Sequence, residues 1–302
     1  MPDNTSAGRS GAPAQATRVK KSSSLAKRNF QKLVKNKMAI IGFILIAVIL
    51  IMCILAPLFT KWDPKKVTLS EKSKAPSAKH ILGTDNLGRD VFSRILYGGR
   101  ISILIGLTGS LGGVIIGCIL GCIAGYYGGW FDAIFLRISE VVQAVPQILL
   151  VLVLVTVMKR SLANLFIIFI ATGWVGTYRL VRGRFFSLRE ESYVESSRAF
   201  GISDRSIMFR HILPNTLGPI IVIFTLNTAG FILQEAALSY LGLGVPADIP
   251  TWGNILNAAR EVSTVTRSPW IWLSPGITIS LFVLGINFFG DGLRDVFDPN
   301  QL

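Results

Sequence analysis

The stretch RLVRGRFFSLREESYVESSRAFGISDRSIMFRHILPN, residues Arg179 to Asn215, is the longest polar interruption between two apolar runs in the second half of the chain. Ser192 and Glu195 have the spacing of a capping box, which predicts that a short helix begins there. Gly201 tolerates the left-handed conformation found at helix C-termini, so we expect this helix to end at Gly201.

A second short helix is predicted after the glycine. Ser203 can cap it, and Pro214 is expected to end it, because the residue before a proline is pushed out of the α region. Helices shorter than about 12 residues are marginal in water. The two helices therefore need an apolar surface to pack against, and one candidate for that surface is another protein.

The composition places the chain in the membrane class. Of its 302 residues, 51% are hydrophobic and 16% are charged, and the mean hydropathy is +0.53, outside the usual range of soluble domains. The formal charge of +14 could indicate nucleic-acid binding. In membrane proteins, however, basic residues gather at the ends of spans and face anionic lipid. We therefore predict contact with a lipid bilayer and no nucleic-acid partner.

Apolar runs predict six transmembrane helices, each near the roughly 20 residues that cross a bilayer. The predicted spans are 38–59, 101–124, 132–158, 163–178, 217–241 and 270–289. Residues 1–37 have the composition of a disordered basic tail. The first span is too long for a cleaved signal peptide, so it is predicted to be an uncleaved anchor. The fold class is thus an all-α polytopic membrane protein, with the core at 101–302.

The segment 60–100 is predicted to be an extracytoplasmic loop. Apolar residues recur at helical spacing over 87–96, which predicts an amphipathic helix lying along the membrane surface. Asp90 and Arg94 are expected to pair across one turn of this helix.

Five glycines stand at strict four-residue intervals in the second span: Gly109, Gly113, Gly117, Gly121 and Gly125. The spacing puts all five on one helical stripe. In lipid, small residues at this spacing let another helix approach closely, so the stripe is predicted to be a helix-packing face. Whether it packs within this chain or against a partner subunit is left open.

Ionisable residues within spans are expensive and usually face protein or water. Arg137 and Glu140 are three residues apart in the third span and are predicted to pair, while Glu235 stands near the end of the fifth. A proton relay through Glu140 or Glu235 would make the chain an ion-coupled secondary transporter, which is one alternative. Uncharged amides also occur inside the spans: Gln143, Gln147, Asn227 and Gln234.

Charge counts predict the orientation. Six spans place both termini on one side, and with that side inside the cell the inner segments hold 18 Lys and Arg against 13 in the outer ones. The positive-inside rule therefore predicts cytoplasmic termini and a cytoplasmic 179–215 segment. Trp252 and Trp270, in and beside the outer loop 242–269, are expected to lie in an interfacial aromatic belt.

The sequence lacks the common catalytic signatures. The phosphate-binding G-x-x-x-x-G-K-[ST] loop and the H-E-x-x-H motif are absent, as is the G-x-S-x-G elbow. The two histidines, His80 and His211, are too few for a histidine-based metal site. We therefore predict a transporter, a channel or a scaffold, with no enzymatic activity, no metal and no cofactor bound by this chain.

The 179–215 stretch resembles the cytoplasmic signature of ABC importer permeases, which reads E-A-A, three residues, G, nine residues, I-x-L-P. Serines replace the two alanines, and His211 holds the isoleucine position. The residues that match the spacing without insertion are Glu195, Ser196, Ser197, Gly201, Leu213 and Pro214.

Further segments resemble one branch of that family, the second permease subunit of dipeptide and oligopeptide importers; nickel importers share much of the pattern. These segments are GTDNLGRD at 83–90, RHILPN at 210–215, EAALSYLGLG at 235–244, PTWG at 250–253 and GDGLRD at 290–295.

The resemblance implies a type I importer permease fold with six transmembrane helices in the bacterial cytoplasmic membrane. The matched residues would form a coupling helix-turn-helix docked on an ATPase. The implied partners are a second homologous permease, two cytoplasmic ATPase subunits that carry ATP and Mg, and an extracytoplasmic binding protein that delivers a dipeptide or oligopeptide. Import of a nickel chelate is the alternative for the cargo.

Overall fold

The computed structural model describes residues 32–297, and over this range the chain is helical, with one isolated bridge between Thr84 and Asp90 in place of any strand. The expected all-α class is confirmed, while residues 1–31 of the predicted tail lie outside the described part. The helices are α1 (Lys37–Ile54), α2 (Ala56–Phe59), α3 (Val91–Tyr127), α4 (Gly129–Ala144), α5 (Gln147–Met158), α6 (Leu162–Leu188), α7 (Ser192–Ala199), α8 (Asp204–Ser206), α9 (Leu213–Tyr240), α10 (Trp252–Leu256), α11 (Val262–Arg267) and α12 (Trp270–Phe297). A π-helical turn, Ile207–Ile212, joins α8 to α9.

Within residues 32–297, five helices are long and apolar enough to cross a bilayer: α1, α3, α6, the continuous run Asp204–Tyr240, and α12. The pair α4 and α5 meets the same criteria only together, and the two helices bend by 89°. The predicted third span is therefore not one helix. Pro146 stands at the bend, where its missing N–H and fixed backbone break the helical ladder.

The glycine stripe of α3 lies against α6 of the same chain. A Cβ added at Gly113 would lie 2.8 Å from the backbone of Gly173, and one added at Gly125 would lie 2.6 Å from Phe185. Gly109 approaches Phe169, Gly117 approaches Trp174 and Gly121 approaches Tyr178, so the contacts advance in the same direction along both helices. The two helices consequently run parallel, so the chain must cross the membrane between them. The α4–α5 pair makes that crossing, which gives six spans within residues 32–297.

The first and last spans bring both ends of the described chain to one side of the bundle. Gly42 of α1 is so close to Gly285 of α12 that an added Cβ would lie 2.5 Å from its carbonyl oxygen. Asn36 Nδ2 donates a hydrogen bond to Asp295 Oδ2 at 3.0 Å. This side also carries residues 188–213, so we call it the 188–213 end, and the opposite side the 60–90 end.

The surface helix predicted at 87–96 is wrong. One helix, α3, begins at Val91 and continues through the second span. Asp90 caps it, its Oδ1 accepting a hydrogen bond from Ser93 N at 2.7 Å. The apolar side chains at the start of α3 are buried in a core cluster around Trp252. Their helical spacing therefore reflects contact with the chain's own core and not with lipid headgroups.

Two more predictions at the 60–90 end are wrong. Asp90 Oδ2 pairs with His80 Nδ1 at 2.8 Å, while Arg94 Nε lies 3.6 Å from Asp85 Oδ2, so Asp90 and Arg94 are not partners. Trp252 is fully buried, and its indole N–H donates to a backbone carbonyl of α3 at 3.0 Å. The partners of Asp90 and Arg94 come from the loop just before α3, and the partner of Trp252 comes from a distant part of the chain.

The helix predicted after Gly201 does not end at Pro214. The chain passes from α8 through the π-helical turn into α9 without interruption. Pro214 directly follows the π-helical turn, in which the N–H of Leu213 already bonds the carbonyl five residues back, so the irregular ladder accommodates a residue without an N–H. The predicted capping box is wrong, because the N-cap of α7 is Glu191, not Ser192. Ser203 occupies the N-cap position of α8, as predicted, but its side chain makes no cap hydrogen bond.

Candidate functional site

Segment 188–213 packs against the C-terminal halves of α3 and α6. Four of its apolar side chains are buried in one cluster with residues of those helices: Val194, Ile207, Met208 and Ile212. Burying a large apolar side chain contributes about 1.5–3 kcal/mol, which is the stabilisation that short helices lack on their own. One face of the segment therefore packs on the chain itself.

Polar contacts hold the same segment to the end of α3. The Tyr126 hydroxyl donates to Asp204 Oδ1 at 2.6 Å, and the Arg198 guanidinium lies 5.1 Å from the centre of the Tyr126 ring. Arg189 Nη1 donates to the carbonyl oxygens of Gly125 and Tyr126 at 3.4 Å. A movement of the segment would therefore carry α3 with it.

Four large apolar side chains of the segment are exposed instead of buried: Tyr193, Phe200, Ile202 and Phe209. Phe200 is 85% exposed. Exposed large apolar side chains outside the spanning helices are typical of protein-interaction sites. We call these four residues the coupling face.

Gly201 forms the turn between the two helical pieces, as predicted. Its φ of +73° is left-handed, a conformation that glycine adopts without a Cβ penalty. Its N–H donates to Arg198 O at 2.9 Å, and the N–H of Ile202 donates to Ser197 O at 3.1 Å. These bonds satisfy carbonyls left over at the end of α7.

The other residues of the matched signature lie on both sides of this turn. Glu195 and Ser196 are exposed and Ser197 is buried, each serine hydroxyl donating to the carbonyl four residues before it at 2.8 Å. Leu213 is half-buried and Pro214 is exposed. The signature thus lies on both sides of the Gly201 turn, and its role in contact with an ATPase stays a prediction.

An ion pair that the sequence patterns did not predict joins α6 to α4. Arg182 holds Asp132 through two guanidinium nitrogens, with Nη2 to Oδ2 at 2.6 Å. Two parallel charge-assisted bonds fix geometry as well as contribute energy. The predicted Arg137–Glu140 pair is confirmed, with 2.8 Å between Nη1 and Oε2.

A cavity of about 350 Å³ lies between the α4–α5 bend and the facing sides of α6 and α9. Its polar side chains are Gln143 and Gln147 at the bend, Thr172 of α6, and Asn227 and Gln234 of α9. None of the described residues that line it has an acidic or basic side chain. Each amide could be recognised as a polar residue inside a span, but no sequence pattern placed them together.

Glu235 is completely buried and does not line this cavity. It accepts hydrogen bonds from Ser102 Oγ at 3.1 Å and Ser239 Oγ at 2.7 Å. Ser102 Oγ in turn accepts from the backbone N–H of Trp252 at 3.1 Å. The carboxyl therefore ties α9 to α3 and α10. Glu140, the other residue considered for a proton relay, is exposed and bound to its arginine.

A polar network closes the 60–90 end. His80 is buried between Glu71 and Asp90, with ring nitrogens 3.2 and 2.8 Å from their oxygens, and its ring centre lies 4.7 Å from that of Trp62. Lys79 also donates to Glu71. The pKa of Glu71 is lowered, chiefly by the hydrogen bond from Lys79 and further by the bond from His80, although burial alone would raise this pKa.

Comparison with known proteins gives two family matches. Residues 113–301 match the family described as binding-protein-dependent transport system inner membrane component, and residues 24–76 match the N-terminal transmembrane domain of oligopeptide transport permease C. The chain is 44% identical to a dipeptide transport system permease protein of Alkalihalophilus pseudofirmus over 90% of its own length and 89% of the relative. It is 41% identical to an oligopeptide transport system permease protein of Bacillus subtilis, with 93% and 91% covered.

Proposed function

The chain belongs to the binding-protein-dependent transport system inner membrane components, and we propose that it is the second permease subunit of an ATP-driven importer of dipeptides or oligopeptides. The observation that carries the proposal is its similarity to dipeptide and oligopeptide permeases along about nine tenths of the chain. The protein is a multi-pass transport component of the inner membrane and not itself an enzyme.

The proposed assembly contains a second homologous permease, two cytoplasmic ATPase subunits and an extracytoplasmic binding protein. ATP and Mg would be bound by the ATPase subunits. The 188–213 end, which also carries both ends of the described chain, would face the cytoplasm, in keeping with the excess of Lys and Arg counted for that side. The 60–90 end would face the binding protein.

The coupling face supports a mechanical role for segment 188–213. An ATPase that docks on Tyr193, Phe200, Ile202 and Phe209 would push or pull a segment whose underside is packed on α3 and α6. Because α3 and α6 are in backbone contact along the glycine stripe, little slack is available between them, and close-packed interiors transmit displacement. The two helices would consequently move as one unit when the ATPases close on ATP.

The experiment is peptide uptake by vesicles that contain both permeases, both ATPase subunits and the binding protein loaded with tritiated trialanine. We expect uptake that requires ATP and continues in the presence of an uncoupler. Phe200→Asp is expected to lower the uptake rate at least tenfold, because a charge replaces an apolar docking side chain, whereas Phe200→Leu retains most of it.

Uptake that persists without ATP but stops with an uncoupler would refute the proposal and favour the ion-coupled alternative. Equal uptake by the Asp and Leu variants would refute the role of the coupling face. Uptake of a nickel–histidine complex in place of the peptide, under the same conditions, would show that the cargo is a nickel chelate.

A further inference from the structure

The bend between α4 and α5 exposes backbone polar groups inside the membrane span. Helix α4 ends at Ala144 without a cap hydrogen bond from Val145, and α5 begins directly after Pro146. The residues that face the bend, Thr172 and Asn227, lie near the middle of their own spanning helices. Non-helical backbone at such depth occurs only where it is buried in protein or lines a water-filled cavity.

The cavity beside the bend supplies that environment, and its lining has one chemical character. Four carboxamides converge on it: Gln143, Gln147, Asn227 and Gln234. The Gln234 Oε1 atom is buried and has no hydrogen-bond partner among the described residues. A buried polar atom without a partner costs about 1–3 kcal/mol, so a donor that reached this oxygen would remove that cost.

The cavity is open on the side of the bend. Gln143, Pro146 and Gln147 are exposed on this chain alone, and a Cβ added at Gly230 on the opposite wall would meet nothing within 4 Å. Its volume of about 350 Å³ lies at the lower end of the roughly 300–1,000 Å³ typical of small-molecule sites. A second permease placed against the bend would enclose and enlarge it.

We propose that this cavity is one half of a translocation site that binds the main chain of the transported peptide, an inference that rests on the proposed function. Each carboxamide has an acceptor oxygen and two N–H donors, which complement the N–H and C=O groups of a peptide bond. Apolar residues such as Val142, Leu150 and Phe231 also line the cavity. They would contact the side chains of the peptide without requiring a hydrogen bond from them.

The absence of charge from this lining determines what the site selects. A fixed carboxylate or ammonium would attract peptides of one charge and repel those of the other. Amides bind the main chain, which all peptides share, so peptides of different charge would pass this site at similar rates. Selection among peptides would then be made elsewhere, before the peptide enters the membrane.

The test introduces a charge at Asn227 and measures a ratio of rates in the reconstituted importer. Uptake of Ala-Lys-Ala and Ala-Glu-Ala is compared at concentrations that saturate the binding protein. The wild type should show a ratio near one, and Asn227→Asp should shift the ratio toward the lysine peptide about tenfold or more. The matched control is Asn215→Asp, at an exposed amide in the first turn of α9 and outside the cavity lining, which should leave the ratio unchanged.

An unchanged ratio in Asn227→Asp, with normal wild-type uptake, would refute the site and leave the proposed function standing. Failure of the wild type to take up either peptide would refute the proposed function itself. If the charged variant does not assemble, a photoreactive benzoylphenylalanine at Gln147 replaces it. It should label tritiated trialanine during turnover, while the same group at the exposed Leu233 of α9, outside the cavity lining, should not. Equal labelling or no labelling at the two positions would likewise refute the site.

Discussion

Glu235 lies fully enclosed near the end of α9, with the hydroxyl groups of Ser102 and Ser239 as its hydrogen-bond donors. Because Ser102 also accepts from the backbone N–H of Trp252, the carboxyl completes a chain of bonds that joins three helices. A buried polar network of this kind specifies a unique packing when all its members are satisfied. The residue therefore has a structural explanation that involves no proton movement along the transport path.

Two substitutions distinguish this explanation from a proton relay. Glu235→Gln keeps an acceptor oxygen, and serine hydroxyls rotate to suit a new partner, so we expect it to retain most of the uptake and thermal stability. Glu235→Ala leaves two buried hydroxyls without their acceptor and should cost about 1–3 kcal/mol for each, measured as a lowered Tm of the purified importer. Loss of uptake in the Gln variant at unchanged Tm would contradict the structural role.

At the scale of elements, the α3–α6 contact depends on the absence of side chains along one stripe. Backbone atoms of α6 occupy the space where a Cβ at Gly113 would stand. The benefit of close approach in lipid is van der Waals contact between backbones. Stability of the pair should consequently respond to the smallest possible enlargement, the addition of one methyl group.

We expect Gly113→Ala to destabilise the protein by about 1–3 kcal/mol, the usual cost of overpacking a close contact. Gly183→Ala is the matched control, because it lies in α6 and an added Cβ there meets nothing within 4 Å. Replacing a helical glycine by alanine otherwise gains up to about 1 kcal/mol, so the control should be neutral or stabilising. Thermal unfolding in one detergent measures both, and equal Tm shifts would contradict the role of the stripe.

The 60–90 end should respond to acid through Glu71. Its pKa is lowered in the folded protein, so its ion pairs stabilise the segment above the ordinary carboxyl pKa of about 4.3. That stabilisation is lost as the pH falls through the lowered folded pKa. Hydrogen exchange at Ser73, whose N–H donates to Asp85 O at 2.9 Å, should accelerate in this acidic window. Glu71→Gln, compared at each pH, should lack the acceleration, and an identical profile in the two proteins would contradict the prediction.

At the scale of the whole molecule, the direction of each span follows from packing. α3 and α6 run parallel, and α1 and α12 are held together so that Asn36 and Asp295 meet. These contacts place the 60–90 segment and the 188–213 segment at opposite ends of the bundle. Which of the two ends faces the cytoplasm is predicted from the distribution of Lys and Arg.

Single cysteines test the orientation, after Ser replaces the native Cys53, Cys118 and Cys122. Leu69→Cys and Phe200→Cys stand at exposed positions on the two ends, 69% and 85% exposed. A membrane-impermeant maleimide added to intact spheroplasts should label position 69 at once and position 200 only after permeabilisation. The reverse pattern would overturn the proposed cytoplasmic location of segment 188–213.

The sequence by itself determined the features that depend on local chemistry. The length of each apolar run indicated the spans, because a bilayer sets the number of residues needed to cross it. The spacing of Gly109 to Gly125 indicated a packing face, because helical geometry places every fourth residue on one side. The turn at Gly201 was predictable because a left-handed φ is a property of the single residue.

Only the tertiary structure decided which groups share a surface. Pro214 looked like a stop, yet the helix continues through it, because Pro214 follows the π-helical turn Ile207–Ile212, where the regular ladder of hydrogen bonds is already shifted. Trp252 looked interfacial, yet packing against α1, α3 and α12 buries it completely. The amide-lined cavity is formed by the α4–α5 bend, α6 and α9. The sequence does not indicate that these elements are in contact, because contacts between distant segments depend on how complete helices pack.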